Sequence, residues 1–429
     1  MPRRRPRLLV VNVFFAPLSF GGATVVAERM ATRLSDDHGW DVVVATQVQD
    51  PAIPEYGFRR YSVGETEVIG IRLPAHSLSE RDRYDNQNFK TAFASILDVV
   101  KPDVTHVHCV QDIGAGLYDE LATRRIPTAT TVHDCWWICE RQFMIDANQK
   151  YCHQKRIDLN VCRHCVPDVN TTRVRNDYLR SQLNKSGLIL FPSDFQRELF
   201  VANGFDPLRC ATNKNGVAMP GPNFERTERP DGQTVRFGFV GGPGPIKGAP
   251  QIVKAFNAIQ RTDYTLKVVD AAQHIGQSWT SSGGWKIPGT VEFVPPYTAE
   301  TMDAFFADVD VVLFPSQWKE SFGLTVREAM ARRIWVIASD AGGLSQDCRD
   351  GVNARLIPMT ADHRPLQAAI EETFEMNLDT IEPSPHIATH ADQAAQLDAH
   401  LHRLMSGAGE TASTAEPSSK PYKDAMAVA

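Results

Sequence analysis

The run Asp310-Val311-Val312-Leu313-Phe314-Pro315 is apolar on both faces, which suits a strand buried inside a parallel sheet. It leads into Trp318-Lys319-Glu320-Ser321-Phe322-Gly323-Leu324-Thr325-Val326-Arg327-Glu328-Ala329-Met330-Ala331, which passes through a loop and, from Thr325 to Arg332, into good helix formers. Strand, loop and helix in that order build open α/β sheets, where ligands bind at the carboxyl ends of strands and phosphate at helix starts. Gly323 lets a ligand come close to the backbone. Glu320 falls in the loop and Glu328 about one turn into the helix, so the pair can address different parts of one elongated ligand. The alternative is a solvated loop Glu and a second Glu that merely suits a positive helix end.

The same unit recurs along the chain. Arg7 to Phe14 reads as a buried strand, Gly21-Gly22-Ala23 opens a helix with Val26, Met30 and Leu34 at helical spacing, and Asp41 to Thr46 and Val68 to Leu73 are further strands. This glycine loop lacks the dinucleotide fingerprint, which weakens a nicotinamide reading. Val104 to His108 and Thr128 to Asp134 are strands ending in histidine, and Pro192-Ser193-Asp194 caps a helix from Phe195. Residues 219–234, rich in Pro, Gly and charge, read as a linker. Beyond it come a strand at Val235 to Val240, the loop Gly241-Gly242-Pro243-Gly244-Pro245-Ile246-Lys247-Gly248, and a helix from Ala249. Residues 273–289 form a Gly, Ser and Trp loop. These units predict an α/β protein with a first domain over 1–218, a second over 235–385, a closing helix over 386–405 and a disordered tail over 406–429.

With 429 residues the chain has room for two or three cores, and a net charge of -6 argues against bulk nucleic-acid binding. No apolar run is long enough to span a bilayer. Arg3, Arg4, Arg5 and Arg7 precede the first strand; Asn12 interrupts the apolar run, so a secretory signal is not the reading. Eight cysteines make no disulfide scaffold, and a reducing, cytoplasmic setting is expected.

Glu320 and Glu328 with Ser-Phe-Gly-Leu between them resemble the signature of retaining GT-B glycosyltransferases, most closely glycosyltransferase family 4. A strand ending in His133-Asp134 resembles the first-domain signature of that family, and Asn215-Gly216-Val217 its hinge. The resemblance implies two doubly wound, Rossmann-like domains facing a cleft, with acceptor on the first and a nucleotide-sugar donor on the second. It places Glu320 beside the donor sugar, Glu328 on the ribose hydroxyls, and the amides of Phe322, Gly323, Leu324 and Thr325 on the distal phosphate. Lys247, with Gly241 and Gly242, would meet the donor diphosphate. Gly21 and Gly22 would approach donor phosphate or acceptor, and His133 a sugar hydroxyl. Asp134 would hold its loop or face the acceptor. The family commonly has an Arg where this chain has Gly242 and a Glu where it has Gln346. The 273–289 loop falls where the nucleotide base would lie.

Directly after His133-Asp134, Cys139, Cys152, Cys162 and Cys165 lie within 27 residues, the last two as Cys-x-x-Cys. Four thiolates in a loop-rich insert suit a structural zinc, with Cys135, His153 and His164 as rival ligands. An iron–sulfur cluster and a set of free thiols are the alternatives. Four protein ligands leave no open position, so no catalytic metal is expected.

Together these features lead to the expectation of a retaining glycosyltransferase that uses a nucleotide-sugar and a glycan or lipid-linked acceptor. The basic arm adds the expectation of peripheral contact with an anionic membrane at its inner face. A non-catalytic sugar-nucleotide binder and a GT-B epimerase are the competing functions.

Overall fold

The computed structural model describes residues 4–19, 21–75, 78–231, 234–271, 273, 285–384 and 387–407. Most of the 273–289 loop, Arg3 and residues 408–429 of the expected disordered tail lie outside them.

The first lobe runs β1 (Arg7–Val11), α1 (Gly21–His38), β2 (Asp41–Val48), β3 (Phe58–Val63), β4 (Thr66–Arg72), α2 (Gln87–Val100), β5 (Val104–Val107), α3 (Leu117–Thr123), β6 (Thr128–Thr131), α4 (Leu159–Cys162), α5 (Val169–Leu183), β7 (Leu188–Phe191), α6 (Asp194–Ala202) and β8 (Cys210–Thr212). Its strands are ordered β3-β4-β2-β1-β5-β6-β7-β8 and are parallel except at the β3–β4 hairpin. Alternate residues of β1 and β2 serve opposite faces, as the two-residue period of a strand requires. Leu9, Val11, Val43 and Ala45 meet Phe93, Leu97 and Leu183, while Leu8, Val10, Val42 and Val44 meet Val26, Met30 and Leu34.

The second lobe runs β9 (Val235–Phe239), α7 (Ala249–Ala258), β10 (Tyr264–Val269), β11 (Thr290–Val294), α8 (Met302–Ala307), β12 (Val311–Phe314), α9 (Leu324–Ala331), β13 (Trp335–Ser339), β14 (Ala354–Ile357) and α10 (Arg364–Thr373). The strand order is β11-β10-β9-β12-β13-β14, all parallel. α11 (His390–Met405) then returns to the first lobe, where Ala394, Leu397 and Leu401 join the core beneath α1 and Trp40 Nε1 donates to Asp398 at 2.7 Å. The two crossings run side by side, with Val217 N donating to Ala388 O at 3.0 Å and Gly216 N to Gln393 Oε1 at 2.8 Å. The expected linker lies along the second lobe, where Arg226 pairs with Asp379 and Arg229 with the buried Asp310.

Each sheet reverses its winding once among the described strands, between β1 and β5 in the first and between β9 and β12 in the second. Loops leaving adjacent strands in opposite directions open a crevice at such a point, and ligands of doubly wound sheets bind there. The loops after β9 and β12 carry Lys247 and Glu320.

Candidate functional site

α9 starts without a side-chain cap because its N-cap is Gly323, held at φ +88°, a left-handed conformation that a residue with a Cβ rarely adopts. The first amides of the helix are thus free of side-chain partners and can receive an anion. Just ahead, the Glu320 loop is pinned to the turn after β13: Glu320 N donates to Ala341 O at 3.1 Å and Gly343 N to Glu320 O at 2.9 Å. Glu320 is only 7% exposed, and its Oε1 accepts from Ser316 Oγ at 2.9 Å and from Lys247 Nζ at 2.8 Å. Lys247 reaches it from the loop after β9, which Gln317 N joins by donating to Ile246 O at 2.8 Å. The ammonium lies 5.1 Å from the Trp318 ring centre and 5.6 Å from that of Phe314, so aromatic faces help to aim it.

Glu328 stands on α9 apart from this pair. Tyr297 donates its hydroxyl to Glu328 Oε2 at 2.7 Å, and burial lifts the Glu328 carboxyl above the usual carboxylate range. Gly241 packs against the Phe239 ring, and Gly242 has φ +79°. An Arg at 242, the residue commonest in the resembled family, would be strained in this loop. Across the crevice, Gly22 faces the start of α9: a Cβ on it would stand 3.1 Å from Leu324 Cδ1.

His133 follows β6 and is linked to the same crevice through α6. Gln196 on α6 donates to Asp134 O at 2.9 Å, while Ser193, the N-cap of α6, donates its hydroxyl to Ser321 O at 2.6 Å. Asp134 holds its own loop, accepting from Trp136 N at 2.8 Å and Gln142 Nε2 at 2.6 Å. Its buried carboxyl is raised in pKa by desolvation. The His133 ring bonds His108, with Nε2 2.9 Å from His108 Nδ1. His108 is buried and meets that neighbour rather than the cleft.

His106 lies in β5 next to this pair, and desolvation pushes its pKa down to about 3. Its folded pKa is thus depressed, so its contribution to stability is complete above the unfolded value of 6.5 and is lost as pH falls from there toward 3. By pH 5 the loss from His106 is about 2 kcal/mol. Because His108 and His133 are depressed as well, urea unfolding should show a loss between pH 7 and pH 5 in both proteins, smaller by about 2 kcal/mol in His106→Gln than in the native protein; equal losses would remove His106 as a source.

The expected zinc ligands Cys139, Cys152, Cys162 and Cys165 are free thiols, and among the described residues no group of three or more His, Cys, Asp or Glu side chains is placed to hold a metal. The insert is anchored in the first-lobe core, which Trp136, Trp137, Ile138, Met144, Ile145 and Tyr151 join. Asn203 ties it down by accepting from Ile157 N at 2.8 Å and donating to Lys155 O at 3.0 Å. Burial raises the pKa of the Cys139 thiol to about 11 and lifts those of Cys162 and Cys165 above the ordinary thiol value. The insert also reaches the site, where the Phe143 ring meets Trp318 edge-on at 4.8 Å. Two arginines of the expected basic arm are spent locally, Arg4 on Asp103 and Arg7 on Asp41. No described helix is long and apolar enough to cross a membrane.

Sequence reasoning passed over Arg327, which clamps the loops of the second lobe, and the contacts by which Lys214 and Gln346 join the lobes. Arg327 is buried, pairs with Asp347 at 2.6 Å, and donates to Phe322 O and to Gly343 O, the latter at 2.9 Å. Lys214 from the hinge reaches the same Asp347 at 2.9 Å, and Gln346 accepts from Asp194 N at 3.2 Å. A charged residue between Val326 and the buried Ala329 was the one signal for Arg327; the others carry none.

Two family models match the chain, one described as Glycosyltransferase Family 4 over residues 20–219 and one as Glycosyl transferases group 1 over residues 222–386. Among curated relatives, a D-inositol 3-phosphate glycosyltransferase of Mycobacterium ulcerans is 32% identical over 185 residues, which is 40% of this chain and 38% of that protein. The chain therefore aligns with well under half the length of that relative. Sucrose-phosphate synthase of Thermosynechococcus elongatus superposes with a TM-score of 0.61 at 17% identity, over 95% of this chain and 98% of its own. Anabaena HepE, solved with UDP and glucose, superposes with a TM-score of 0.58 at 16% identity, over 95% and 99%. At such low identity these two establish the GT-B fold.

Proposed function

The chain belongs to the family 4, group 1 glycosyltransferases, whose two models together run from residue 20 to residue 386, and on that premise we propose that it moves a glycosyl group from a nucleotide-sugar to a glycan or lipid-linked acceptor with retention at the anomeric carbon. The observation that carries this reading is the Lys247–Glu320 pair beside the uncapped start of α9. A nucleoside diphosphate leaving group fits there: Lys247 and the α9 amides meet the charge that grows on it as the glycosidic bond lengthens. HepE, of the same fold, was solved with UDP and glucose, which supports a nucleoside diphosphate as the donor moiety.

In this reading Glu320, oriented by Ser316, lies against the donor sugar, and His133 bonds one of its hydroxyls. The acceptor hydroxyl oxygen attacks the anomeric carbon from the face that the diphosphate vacates. The carbon–oxygen bond to phosphate breaks, and the acceptor proton passes to a departing phosphate oxygen, so no protein base is required. A cavity of about 660 Å³ near the ends of β1, β2 and β4, lined in part by Gln47, Asp50, Arg72, Arg83 and Asp112, offers donors and acceptors for a hydroxyl-rich acceptor.

The test is product analysis with a panel of nucleotide-sugars, with and without glycan acceptors. Transfer with an unchanged anomeric configuration supports the proposal. Binding without turnover would favour a sugar-nucleotide binder, interconversion without acceptor an epimerase, and an inverted product would reject retention. Glu328→Gln should raise KM for the donor about tenfold with kcat little changed, because it weakens a hydrogen bond from ribose made alike in ground and transition states. An unchanged KM would free Glu328 from that role.

A further inference from the structure

His133 and His108 share a single hydrogen bond, 2.9 Å from Nε2 of the first to Nδ1 of the second, with their rings tilted by 14°. One nitrogen of the two must carry the proton, and the surroundings decide which. If His133 Nε2 donated, His108 would accept at Nδ1, and as a neutral ring it would carry its own proton on Nε2. That atom is buried and has no partner among the described residues. An orphaned buried N–H is costlier and rarer than an unused lone pair. The opposite arrangement leaves His108 Nε2 bare, puts the shared proton on His108 Nδ1, and makes His133 Nε2 the acceptor. A neutral His133 then bears its proton on Nδ1. Both rings are held neutral by desolvation, which pushes His133 down to about 4 and His108 lower than usual. His106 does not disturb the choice: its ring lies 4.1 Å from that of His108, but its own bond goes from Nε2 to Thr131 Oγ1 at 2.7 Å.

His133 Nδ1 makes no hydrogen bond within the described residues, and unlike His108 Nε2 it is not a sealed, orphaned atom. We propose that His108 is a positioning residue that fixes His133 in the Nδ1–H form, so that His133 meets the substrate as a hydrogen-bond donor to one of its oxygens. The tautomer follows from the two rings alone; the identity of the oxygen as a donor-sugar hydroxyl rests on the function proposed above.

The experiment is long-range proton–nitrogen correlation NMR on the full chain labelled with ¹⁵N-histidine at neutral pH, with the His133 signals assigned by their loss in His133→Gln. The native protein should show His133 protonated on Nδ1. His108→Asn, whose side-chain N–H stands near the place of Nδ1, should preserve that pattern, whereas His108→Leu, which donates nothing, should shift His133 toward Nε2–H. With a donor that is turned over, the Leu variant should lose about tenfold in kcat/KM, the effect of one misdirected hydrogen bond. An Nε2–H His133 in the native protein would overturn the proposal, as would Asn and Leu variants with the same tautomer. The NMR pattern needs no substrate, so failure of the proposed transferase activity and failure of this inference give different results.

Discussion

Lys247→Ala should lower kcat/KM for the nucleotide-sugar by about 10²–10³-fold, the usual effect of removing one preorganised group that stabilises transition-state charge. Lys247 is held at 2.8 Å by Glu320 and faced by Trp318, so the ammonium is in place before a substrate arrives. Donor binding then replaces a carboxylate partner with a diphosphate that gains charge as the reaction proceeds. Because the interaction strengthens in the transition state, the loss should appear in kcat as well as in KM. Glu320→Gln keeps a group able to accept from Ser316 but no longer pairs Lys247 by charge, and it should lose activity while binding nucleoside diphosphate at least as tightly as the native protein. Steady-state kinetics and calorimetric titration with the nucleoside diphosphate check both. A Lys247→Ala enzyme within twofold of the native rate would remove Lys247 from the chemistry.

Arg327→Met should cost about 3–5 kcal/mol of stability, the range found when one member of a buried ion pair is removed. The guanidinium is buried, bonds Asp347 at 2.6 Å, and stacks 3.8 Å from the Phe322 ring centre while bonding the carbonyls of Phe322 and Gly343. A Met fills much of the volume but leaves these oxygens without their donor. Asp347 keeps Lys214, which places the loss toward the lower end of that range. Lys214→Met, at the more exposed partner, should cost about 1 kcal/mol or less. Urea unfolding monitored by tryptophan fluorescence compares the two, and equal losses would show that Arg327 is no special clamp. Since Arg327 also holds the residues that start α9, its replacement should weaken nucleoside diphosphate binding even at temperatures where the fold survives.

Much of the architecture was legible because burial on both faces of a parallel sheet leaves a local mark. Val311 to Phe314 and Leu188 to Phe191 are apolar runs, Val104 to Val107 sets Thr105 and His106 between two valines, and each is a strand of the structure. β3 left no such mark: Phe58-Arg59-Arg60-Tyr61-Ser62-Val63 lies at the sheet edge with its side chains mostly in solvent, and only its antiparallel pairing with β4 makes it a strand. β8 has only three residues, Arg355 interrupts the apolar character of β14, and α10, which buries Leu366, Ala369 and Ile370, was passed over although Pro365 stands at its start, where proline suits a helix. In the insert, cysteine spacing suggested zinc, while packing around Trp136 and Trp137 holds the segment. Gln346 carried no evident chemistry in the sequence; in space its amide oxygen receives Asp194 N from the other lobe.

What the sequence determined by itself is the repeated strand, loop and helix order and the chemistry stored in its loops, Glu320 and Glu328 around Gly323, the Lys247 loop and His133, because hydrophobic period, glycine and charge act within a few residues of one another. Tertiary structure alone decided which of these meet. Lys247 reaches Glu320 across 73 positions because β9 and β12 are neighbours at the reversal of the second sheet, His108 reaches His133 because β5 and β6 pair in parallel, and Arg327 finds Asp347 only once the turn after β13 folds against α9. Such contacts depend on strand order and register, which no local pattern encodes, and they set the partners, burial and proton positions on which the proposed chemistry rests.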